Sequence, residues 1–210
     1  MRSLPAPDET LGSAIPEEPR RRGRPPGTSA REMELIALRL FAAQGVEETP
    51  VEQIAAAAGV SRRTFFRYFE TKAAVLWHEF DREVDALREA FDAVPDGQPL
   101  MTAIREVVVG VNRYRVEDVA ELRERINLIG SSAAMQASAA PHYDAWERAV
   151  SDFAASRLGM SADSLVPLAI GRTTLAACRA AFDIWVKQGD ADLTLYLDQV
   201  LASLGTGFAH

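Results

Sequence analysis

The chain has 210 residues, enough for one large domain or for two small domains that each bury an apolar core. Its single cysteine, Cys178, excludes an internal disulfide, and the histidines His78, His142 and His210 are too far apart for a metal-ligand motif. No apolar run of about 18 residues is present, and acids and prolines occupy the N-terminus where a signal peptide needs an apolar stretch. We therefore expect a soluble, cytoplasmic protein that has no membrane partner and no bound metal.

Charge is distributed unevenly along the chain, whose net charge is −7. Residues 1–72 carry 11 Lys and Arg against 10 Asp and Glu, a balance of +1, and the rest carries 12 against 20, a balance of −8. Nucleic-acid binding depends on a local basic face rather than on total charge. The asymmetry therefore predicts a small DNA-contacting module attached to a larger acidic body.

Residues 1–27 differ in composition from the rest of the chain, because they contain six prolines and few apolar residues. Such a composition is typical of a disordered segment. Arg20-Arg21-Arg22-Gly23-Arg24-Pro25-Pro26 resembles the Arg-Gly-Arg-Pro core of peptides that bind the DNA minor groove. Arg22 and Arg24 are therefore candidate DNA contacts, since arginine suits a narrow A·T minor groove. The alternative is a solubilising tail.

Beyond residue 27 the pattern is helical, with no alternating apolar run that predicts a strand. A first helix over 29–44 is predicted to end at Gly45, which suits a helix C-terminus. A second helix is predicted to begin after Thr49 as its N-cap. Pro50 suits the first helical position, and Glu52 is expected to complete a capping box.

A third helix is predicted to begin after Ser61, its N-cap, and to end near residue 70. Val60 and Phe65 occupy the two positions of a hydrophobic staple at its start. Thr71 is then expected to cap a longer fourth helix that runs to about Phe91.

Four or five further helices are predicted in the remainder of the chain. Residues 130–140 are low in complexity and suit either a helix or a loop. Pro167 requires the long apolar helix to begin near Ser164 or to be kinked. The expected helices cover about 98–113 and 117–129, then one from Pro141, the long apolar helix ending near residue 187, and a final one from Ala191 to Leu204, capped by Asp190. The predicted fold class is therefore all-α.

Residues 51–72 carry the most informative pattern in the chain. Two short helices are joined by Ala58-Gly59-Val60, a turn of the length used in helix-turn-helix motifs. Gly59 permits the positive φ that a tight turn needs. Val51, Ile54, Phe65 and Phe69 are expected to form the small core of this unit.

The third helix contains more polar and aromatic residues than that core can hold. Three arginines suit phosphates or guanine edges, and a threonine and two aromatic rings suit base edges, thymine methyls or phosphate. Lys72 lies at the start of the next helix, where the ammonium and the helix N-terminus both favour phosphate. The predicted contacts to double-stranded DNA are Arg62, Arg63, Thr64, Phe66, Arg67, Tyr68 and Lys72. A solvated basic face is the alternative, and the coincidence of caps, turn, staple and exposed aromatics favours DNA binding.

Residues 38–76 resemble the N-terminal domain of the TetR family of ligand-responsive repressors. The resemblance rests on Leu40-Phe41, Gly45, Ile54-Ala55, Ala58-Gly59-Val60-Ser61, Phe65, Tyr68-Phe69 and Lys72. Phe66-Arg67 departs from many members, which bears on the operator sequence rather than on the fold.

The resemblance implies an all-α homodimer that binds a pseudo-palindromic DNA operator and a small effector. Residues 1–27 would form a basic arm, 28–75 a three-helix helix-turn-helix domain, and 76–210 a helical ligand-binding and dimerisation domain. The last two helices would form a four-helix dimer interface. We expect this interface to use Leu175, Phe182, Ile184 and Trp185 with Leu195, Leu197, Val200, Leu201 and Leu204; the alternative is that these residues complete the monomer core.

Apolar residues at helical spacing in the C-terminal body suit a plain core, and only the family resemblance makes them cavity candidates. The predicted ligand-binding residues are Met101, Ile104, Val108, Val111, Trp146 and Phe153. Such a lining favours a small hydrophobic effector. Residues 112–129 (NRYRVEDVAELRERINLI) resemble the subgroup associated with mycofactocin gene clusters, which implies acyl-CoA-like ligands.

Charged residues cluster in the same stretch. Arg113, Arg115, Arg123 and Arg125 suit an acidic ligand, but Glu117, Asp118, Glu121 and Glu124 lie close enough in sequence to neutralise them. We therefore expect surface ion pairs there.

No pattern in the sequence predicts an enzyme. It offers no metal-ligand cluster, no phosphate-binding glycine loop and no nucleophile with a base at a recognisable spacing. Cys178 lies in an apolar helical context, which favours a buried, inert thiol. We expect no catalytic residue and no cofactor. A helical adaptor or ligand-binding protein without specific DNA binding is the alternative, and the three arginines of the third helix count against it.

Overall fold

The computed structural model describes residues 29–188 and 192–207, and every regular element in those ranges is a helix. The all-α prediction is thereby confirmed. In chain order the helices are α1 (Ala30–Gln44), α2 (Val51–Ala57), α3 (Arg62–Tyr68), α4 (Ala74–Asp92), α5 (Leu100–Val111), α6 (Val116–Gly130), α7 (Ala133–Ala137), α8 (Ala140–Leu158), α9 (Leu165–Trp185) and α10 (Leu193–Gly205).

Local capping signals set several helix ends. The Ser29 hydroxyl accepts a hydrogen bond from the Glu32 amide, and the Glu32 carboxylate accepts one from the Ser29 amide, so α1 begins with a capping box. Gly45 ends α1 with φ of 93°. The Ser61 hydroxyl accepts from the Thr64 amide at the start of α3. The predictions for Gly45 and Ser61 are confirmed.

The predicted caps of α2 and α10 are wrong. Thr49 is fully buried, and its hydroxyl donates to the Gly45 carbonyl over 2.6 Å instead of capping α2, which begins at Val51 with Pro50 as the N-cap. The unpaired carbonyl at the end of α1 lies within reach of this hydroxyl and takes it. α10 is capped by Asp192, whose carboxylate accepts from the Thr194 amide, and not by Asp190, which lies outside the described residues.

α4 connects two apolar cores. Its first turns, with Val75 and Trp77, complete the core of α1–α3, to which α6 and α7 add Leu128 and Met135. Its later turns pack against α5 and α8, in the core that α9 and α10 complete. The packing around the N-terminal helices therefore extends past residue 75, the predicted domain boundary, into α6 and α7.

α9 begins after Ser164, so that Pro167 lies in its first turn, where a missing amide costs no helical hydrogen bond. The predicted start near Ser164 is therefore confirmed. Among the described residues, α9 is the one helix that is long and apolar enough to cross a membrane by length and composition. In the fold it packs between α8 and α10.

Gly171 allows α8 and α9 to approach closely. A Cβ at this position would lie 2.5 Å from the Glu147 carbonyl oxygen and would also clash with the Ser151 hydroxyl. Replacing Gly171 with alanine is expected to cost about 1–3 kcal/mol by overpacking, which exceeds the helix-propensity gain of up to about 1 kcal/mol. Chemical denaturation should therefore show a lower free energy of unfolding.

Gly110 provides the matched control, because a Cβ there would meet no atom within 4 Å. Gly110→Ala should raise the free energy of unfolding by up to about 1 kcal/mol through helix propensity alone. Equal effects of the two substitutions would show that the α8–α9 contact is not tightly packed.

Candidate functional site

α3 presents an exposed basic and aromatic face. Phe65 and the following Phe69 are buried, whereas the rings of Phe66 and Tyr68 are each 40% exposed. The side chains of Arg62, Arg63 and Arg67 are exposed as well, and Thr64 is half-buried. All the predicted DNA contacts on this helix are therefore at least partly accessible from outside the protein.

Two of the three α3 arginines are held beside aromatic rings. The Arg62 guanidinium lies 5.3 Å from the centre of the Phe66 ring, and its Nε lies 3.0 Å from the Glu52 carboxylate. The Arg67 guanidinium lies 4.9 Å from the centre of the Tyr68 ring and donates to the Tyr68 hydroxyl over 3.3 Å. Arg63 makes no hydrogen bond or ion pair within the described ranges, so its donors are available to a phosphate or a base edge.

Lys72 lies beside this face but is already partly engaged. Its ammonium donates to the Glu47 carbonyl over 3.0 Å and to the Thr49 carbonyl over 3.1 Å. One of its three donors remains for a phosphate. In addition to its predicted contact with DNA, Lys72 therefore has a structural role, because it holds the loop between α1 and α2. Arg22 and Arg24 lie outside the described residues.

A cavity of about 400 Å³ lies in the C-terminal body, among α4, α6, α8 and α9. Its apolar wall includes Trp77, Phe80, Ile126, Tyr143 and Phe182. Its volume and lining are typical of a site for a small organic ligand.

Only part of the predicted ligand site lines this cavity. Val111 and Trp146 do so. Ile104 and Val108 are instead fully buried in the core, Phe153 stacks on Phe91 with ring centres 4.3 Å apart, and Met101 faces α10 near Gly205. This corrects the prediction for Met101, Ile104, Val108 and Phe153. Helical spacing identifies inward-facing residues but does not distinguish those that border a void from those that pack against a neighbouring helix.

A buried ionic cluster joins α1 to α6 at one wall of the cavity. Glu34 on α1 is fully buried and is bound by Arg125 on α6, which is 4% exposed. Arg125 also donates to Glu121 over 2.5 Å. Arg31 on α1 donates to both Glu121 oxygens over 2.7 Å each and to Glu34 over 3.1 Å. The N-terminal helices and the cavity wall thus share one network of charges.

A second polar group in the cavity consists of Glu83, Tyr114 and Asn112. The Tyr114 hydroxyl donates to the Glu83 carboxyl, and Asn112 donates to the Val108 carbonyl over 2.9 Å. Burial raises the pKa of Glu83 to about 7, although the hydrogen bond from Tyr114 acts in the opposite direction. Burial also raises the pKa of Tyr114, so its hydroxyl keeps its proton and acts as the donor.

The expectation of surface ion pairs in residues 112–129 holds only in part. Arg115 pairs with Glu117 at the surface, but Arg125 is buried against Glu34. Arg123 donates to the carbonyls of Trp185 and Val186 at the end of α9. Sequence proximity suggested local pairs, whereas the buried partners lie on α1 and α9.

The ionic cluster and Glu83 were missed by sequence reasoning. One signal was present for Glu34, which precedes Leu38 and Phe41 by four and seven residues on the apolar stripe of α1. A charged residue on such a stripe needs a buried partner.

Cys178 borders the cavity as a buried residue. Burial raises the pKa of its thiol to about 12, so the thiol stays protonated and is a poor nucleophile. Within the described ranges no three His, Cys, Asp or Glu residues form a cluster that suits a metal ion.

α9 and α10 carry both buried and exposed apolar residues. Leu175, Trp185, Leu197 and Leu201 are buried within the monomer, whereas Ile184 is 50% and Leu195 67% exposed. The core alternative therefore holds for these four buried residues, and Ile184 and Leu195 leave apolar surface outside the monomer core.

The N-terminal and the C-terminal parts of the chain each match a known protein family. The family described as bacterial regulatory proteins of the tetR family matches residues 36–77, and the MftR C-terminal domain matches residues 98–209. The Mycobacterium tuberculosis protein MftR, named as a mycofactocin biosynthesis transcriptional regulator, is 28% identical over 185 residues, covering 88% of this chain and 93% of the relative. The regulator TcmR of Streptomyces glaucescens is 30% identical over 199 residues, covering 87% of this chain and 88% of the relative.

Solved structures share the fold at lower identity. The fatty acid degradation regulator FadR of Bacillus halodurans aligns with a TM-score of 0.61 at 18% identity, covering 89% of this chain and all of that chain. Thermus thermophilus FadR, a TetR-family repressor solved with lauroyl-CoA, aligns with a TM-score of 0.56 at 22% identity, covering 87% and 96%. The helix-turn-helix match, the C-terminal match over more than half of the chain and the full-length relatives agree. The chain therefore belongs to the TetR family of bacterial transcriptional regulators.

Proposed function

We propose that this regulator is a homodimeric repressor that binds a pseudo-palindromic operator and leaves it when a small apolar effector enters the cavity. The exposed face of α3 carries this proposal, because Arg63 is unpartnered within the described part and Arg62 and Arg67 are oriented by neighbouring rings. Such a helix suits the major groove, with one copy per half-site. We assign the chain no catalysis, because the curated relatives are named as regulators, and place it in the cytoplasm with the DNA that it binds.

Each predicted DNA contact has its own role in this proposal. Arg62, Arg63 and Arg67 bind phosphates or guanine edges, and Phe66 and Tyr68 contact thymine methyls or phosphate. Thr64 and Lys72 add hydrogen bonds to the phosphate backbone of the DNA. Arg22 and Arg24 enter the adjacent minor groove, where arginine is favoured in A·T tracts.

The effector is an acyl-chain molecule in this proposal, with an acyl-CoA thioester as the first candidate. The aromatic and aliphatic wall suits a hydrocarbon chain, and the related fold of Thermus thermophilus FadR was solved with lauroyl-CoA. A cavity of about 400 Å³ has room for the acyl chain but not for the nucleotide, which would remain outside.

The dimer forms through α9 and α10, where Ile184 and Leu195 remain exposed on the monomer. A four-helix interface there would fix the distance between the two copies of α3. Successive half-sites lie about one DNA turn, roughly 34–36 Å, apart. A displacement of α3 by a few ångströms in either protomer would therefore prevent the two copies from docking on both half-sites at once.

The ionic cluster couples the cavity to the DNA-binding helices. Glu121 and Arg125 belong to α6, which lines the cavity, and their partners Arg31 and Glu34 belong to α1. A ligand switches the protein only if it binds the two arrangements with different affinity. An acyl chain that displaces α6 shifts this cluster and, with it, α1 and, through α2, the recognition helix α3. α4 provides a second connection, since it spans both cores.

The test is to titrate acyl-CoAs of increasing chain length into the complex of the full-length protein with its operator. Release should strengthen with chain length, because each added methylene buries more apolar surface in the cavity. Fluorescence anisotropy of labelled operator measures the release. Coenzyme A without an acyl chain is the control and should leave the complex intact. The same response to every chain length would exclude this class of effector.

A further inference from the structure

The cavity contains an acidic group whose role in the proposed ligand site can be specified. Glu83 lies in the middle of α4 and borders the cavity together with Tyr114 and Asn112. One carboxyl oxygen accepts the hydrogen bond from Tyr114. The other oxygen has no hydrogen-bond partner among residues 29–188 and 192–207. The Asn112 amide donates to the Val108 carbonyl, and its carbonyl oxygen lies 3.4 Å from the Tyr114 hydroxyl.

The charges around the cavity offer little to a ligand anion. Its lining includes five carboxyl groups and three guanidinium groups. Two of the arginines, Arg31 and Arg125, are bound to Glu121 and Glu34. The third, Arg179, is exposed and lies 4.9 Å from the centre of the Tyr143 ring. Within the described ranges, none of these three arginines forms an ion pair with Glu83 that would balance a second negative charge beside it.

We propose that Glu83 determines which head group the cavity accepts, admitting an uncharged hydrogen-bonding group and excluding a carboxylate. The inference rests on the proposed effector site and adds its selectivity. An acyl thioester, ester, amide or alcohol brings a neutral group to Glu83. A free fatty acid brings a carboxylate, which repels an ionised Glu83 and cannot donate a hydrogen bond to it.

The titration of Glu83 gives this selectivity a pH dependence. Burial raises the pKa of Glu83 to about 7, and the groups that act on it are Tyr114, Glu79, Arg125 and Glu34. Above pH 7 the carboxylate accepts from a hydroxyl or amide N–H and repels a fatty acid. Below pH 7 the protonated carboxyl donates to a carbonyl and also tolerates a carboxylate. Exclusion of the acid should therefore strengthen as the pH rises from 6 to 8.

The experiment compares two ligands with the same chain: lauric acid and the neutral thioester S-lauroyl-N-acetylcysteamine. Binding to the full-length protein is followed by tryptophan fluorescence, because Trp77 and Trp146 line the cavity. At pH 8 the thioester should bind at least about tenfold more tightly, the ratio that corresponds to one pKa unit of charge interaction. In Glu83→Gln, whose amide still accepts from Tyr114, the ratio of the two dissociation constants should fall towards one.

Glu89→Gln is the matched control, because Glu89 is exposed on the same helix and its loss changes the net charge equally. This variant should retain the wild-type ratio. Equal affinity of the wild type for acid and thioester at pH 8, or an unchanged ratio in Glu83→Gln, would overturn the proposal. If the variant does not fold, a wild-type ratio of dissociation constants that stays constant between pH 6 and pH 8 would also overturn the proposal.

The operator complex separates this inference from the proposed function. A thioester that binds more tightly than the acid but leaves the operator complex intact would contradict the proposed switch and support the role of Glu83. An acid and a thioester that release the operator at equal concentrations would contradict the role of Glu83 and support the switch.

Discussion

Replacing Arg125 with alanine is expected to lower the free energy of unfolding by about 3–5 kcal/mol, because it leaves the Glu34 carboxylate buried without its main partner. Arg31 would remain as the only cation bound to Glu34 within the described ranges. Denaturant unfolding monitored by circular dichroism measures the loss. Arg88→Ala is the control, since Arg88 pairs with Asp85 at the surface and should contribute less than about 1 kcal/mol. Similar losses in the two variants would show that the cluster is not effectively buried.

A second variant separates the stability of the fold from the coupling between ligand binding and operator release. Replacing the pair together, as Glu34→Leu with Arg125→Met, removes both charges and keeps a similar volume. Such replacements are often neutral or stabilising, because neither charge is left unpaired. We expect a folded protein that binds its operator and its ligand, but whose operator complex no longer dissociates when ligand is added. Full release from this double variant would show that the Glu34–Arg125 pair does not carry the signal, which would leave α4 and the Arg31–Glu121 pair as the connections.

Replacing Arg63 with alanine is expected to weaken operator binding by about 1–3 kcal/mol, or roughly 5- to 150-fold, if Arg63 contacts a base. Arg63 is the α3 arginine without a partner in the described structure, so its loss should leave the fold of the free protein unchanged. If Arg63 instead binds a phosphate, the loss should be similar for all sequences, and the salt dependence of binding should weaken by about one unit of slope. Anisotropy titrations at several salt concentrations distinguish the two cases.

Arg39→Ala is the matched control for the charge change. Arg39 is exposed on α1 and borders a surface groove with Glu121 and Glu124 of α6. Its loss should leave operator affinity within about twofold, since charges beyond a Debye length of about 10 Å are largely screened. An equal loss in the two variants would indicate a general effect of net charge rather than a contact made by α3.

Local signals in the sequence predicted most of the helices and the exposure of the polar and aromatic side chains of α3. Ser61 and Gly45 set helix ends because their interactions involve residues within four positions along the chain. Phe65 is buried and Phe66 is exposed, as helical periodicity requires. Thr49 failed as a cap because its partner, the Gly45 carbonyl, is presented by the end of another helix.

The cavity and its polar groups depended on contacts that local patterns do not contain. Arg125 and Glu34 are 91 residues apart in sequence, so spacing within α6 suggested surface pairs instead. Val108 and Val111 lie on the same helix, yet only Val111 borders the cavity, because a void depends on how α4, α6, α8 and α9 are placed. The same placement brings Glu83 and Tyr114 together.

Selection of bound fragments from random DNA tests the central claim most directly. The full-length protein should enrich a pseudo-palindrome whose half-sites are centred about one helical turn apart, since a symmetric dimer presents two copies of α3. A variant carrying Arg63→Ala and Arg67→Ala should fail to enrich that sequence under the same salt conditions. Enrichment of no symmetric sequence by the wild type, or of the same sequence by the variant, would contradict the account of α3 as the DNA-reading helix.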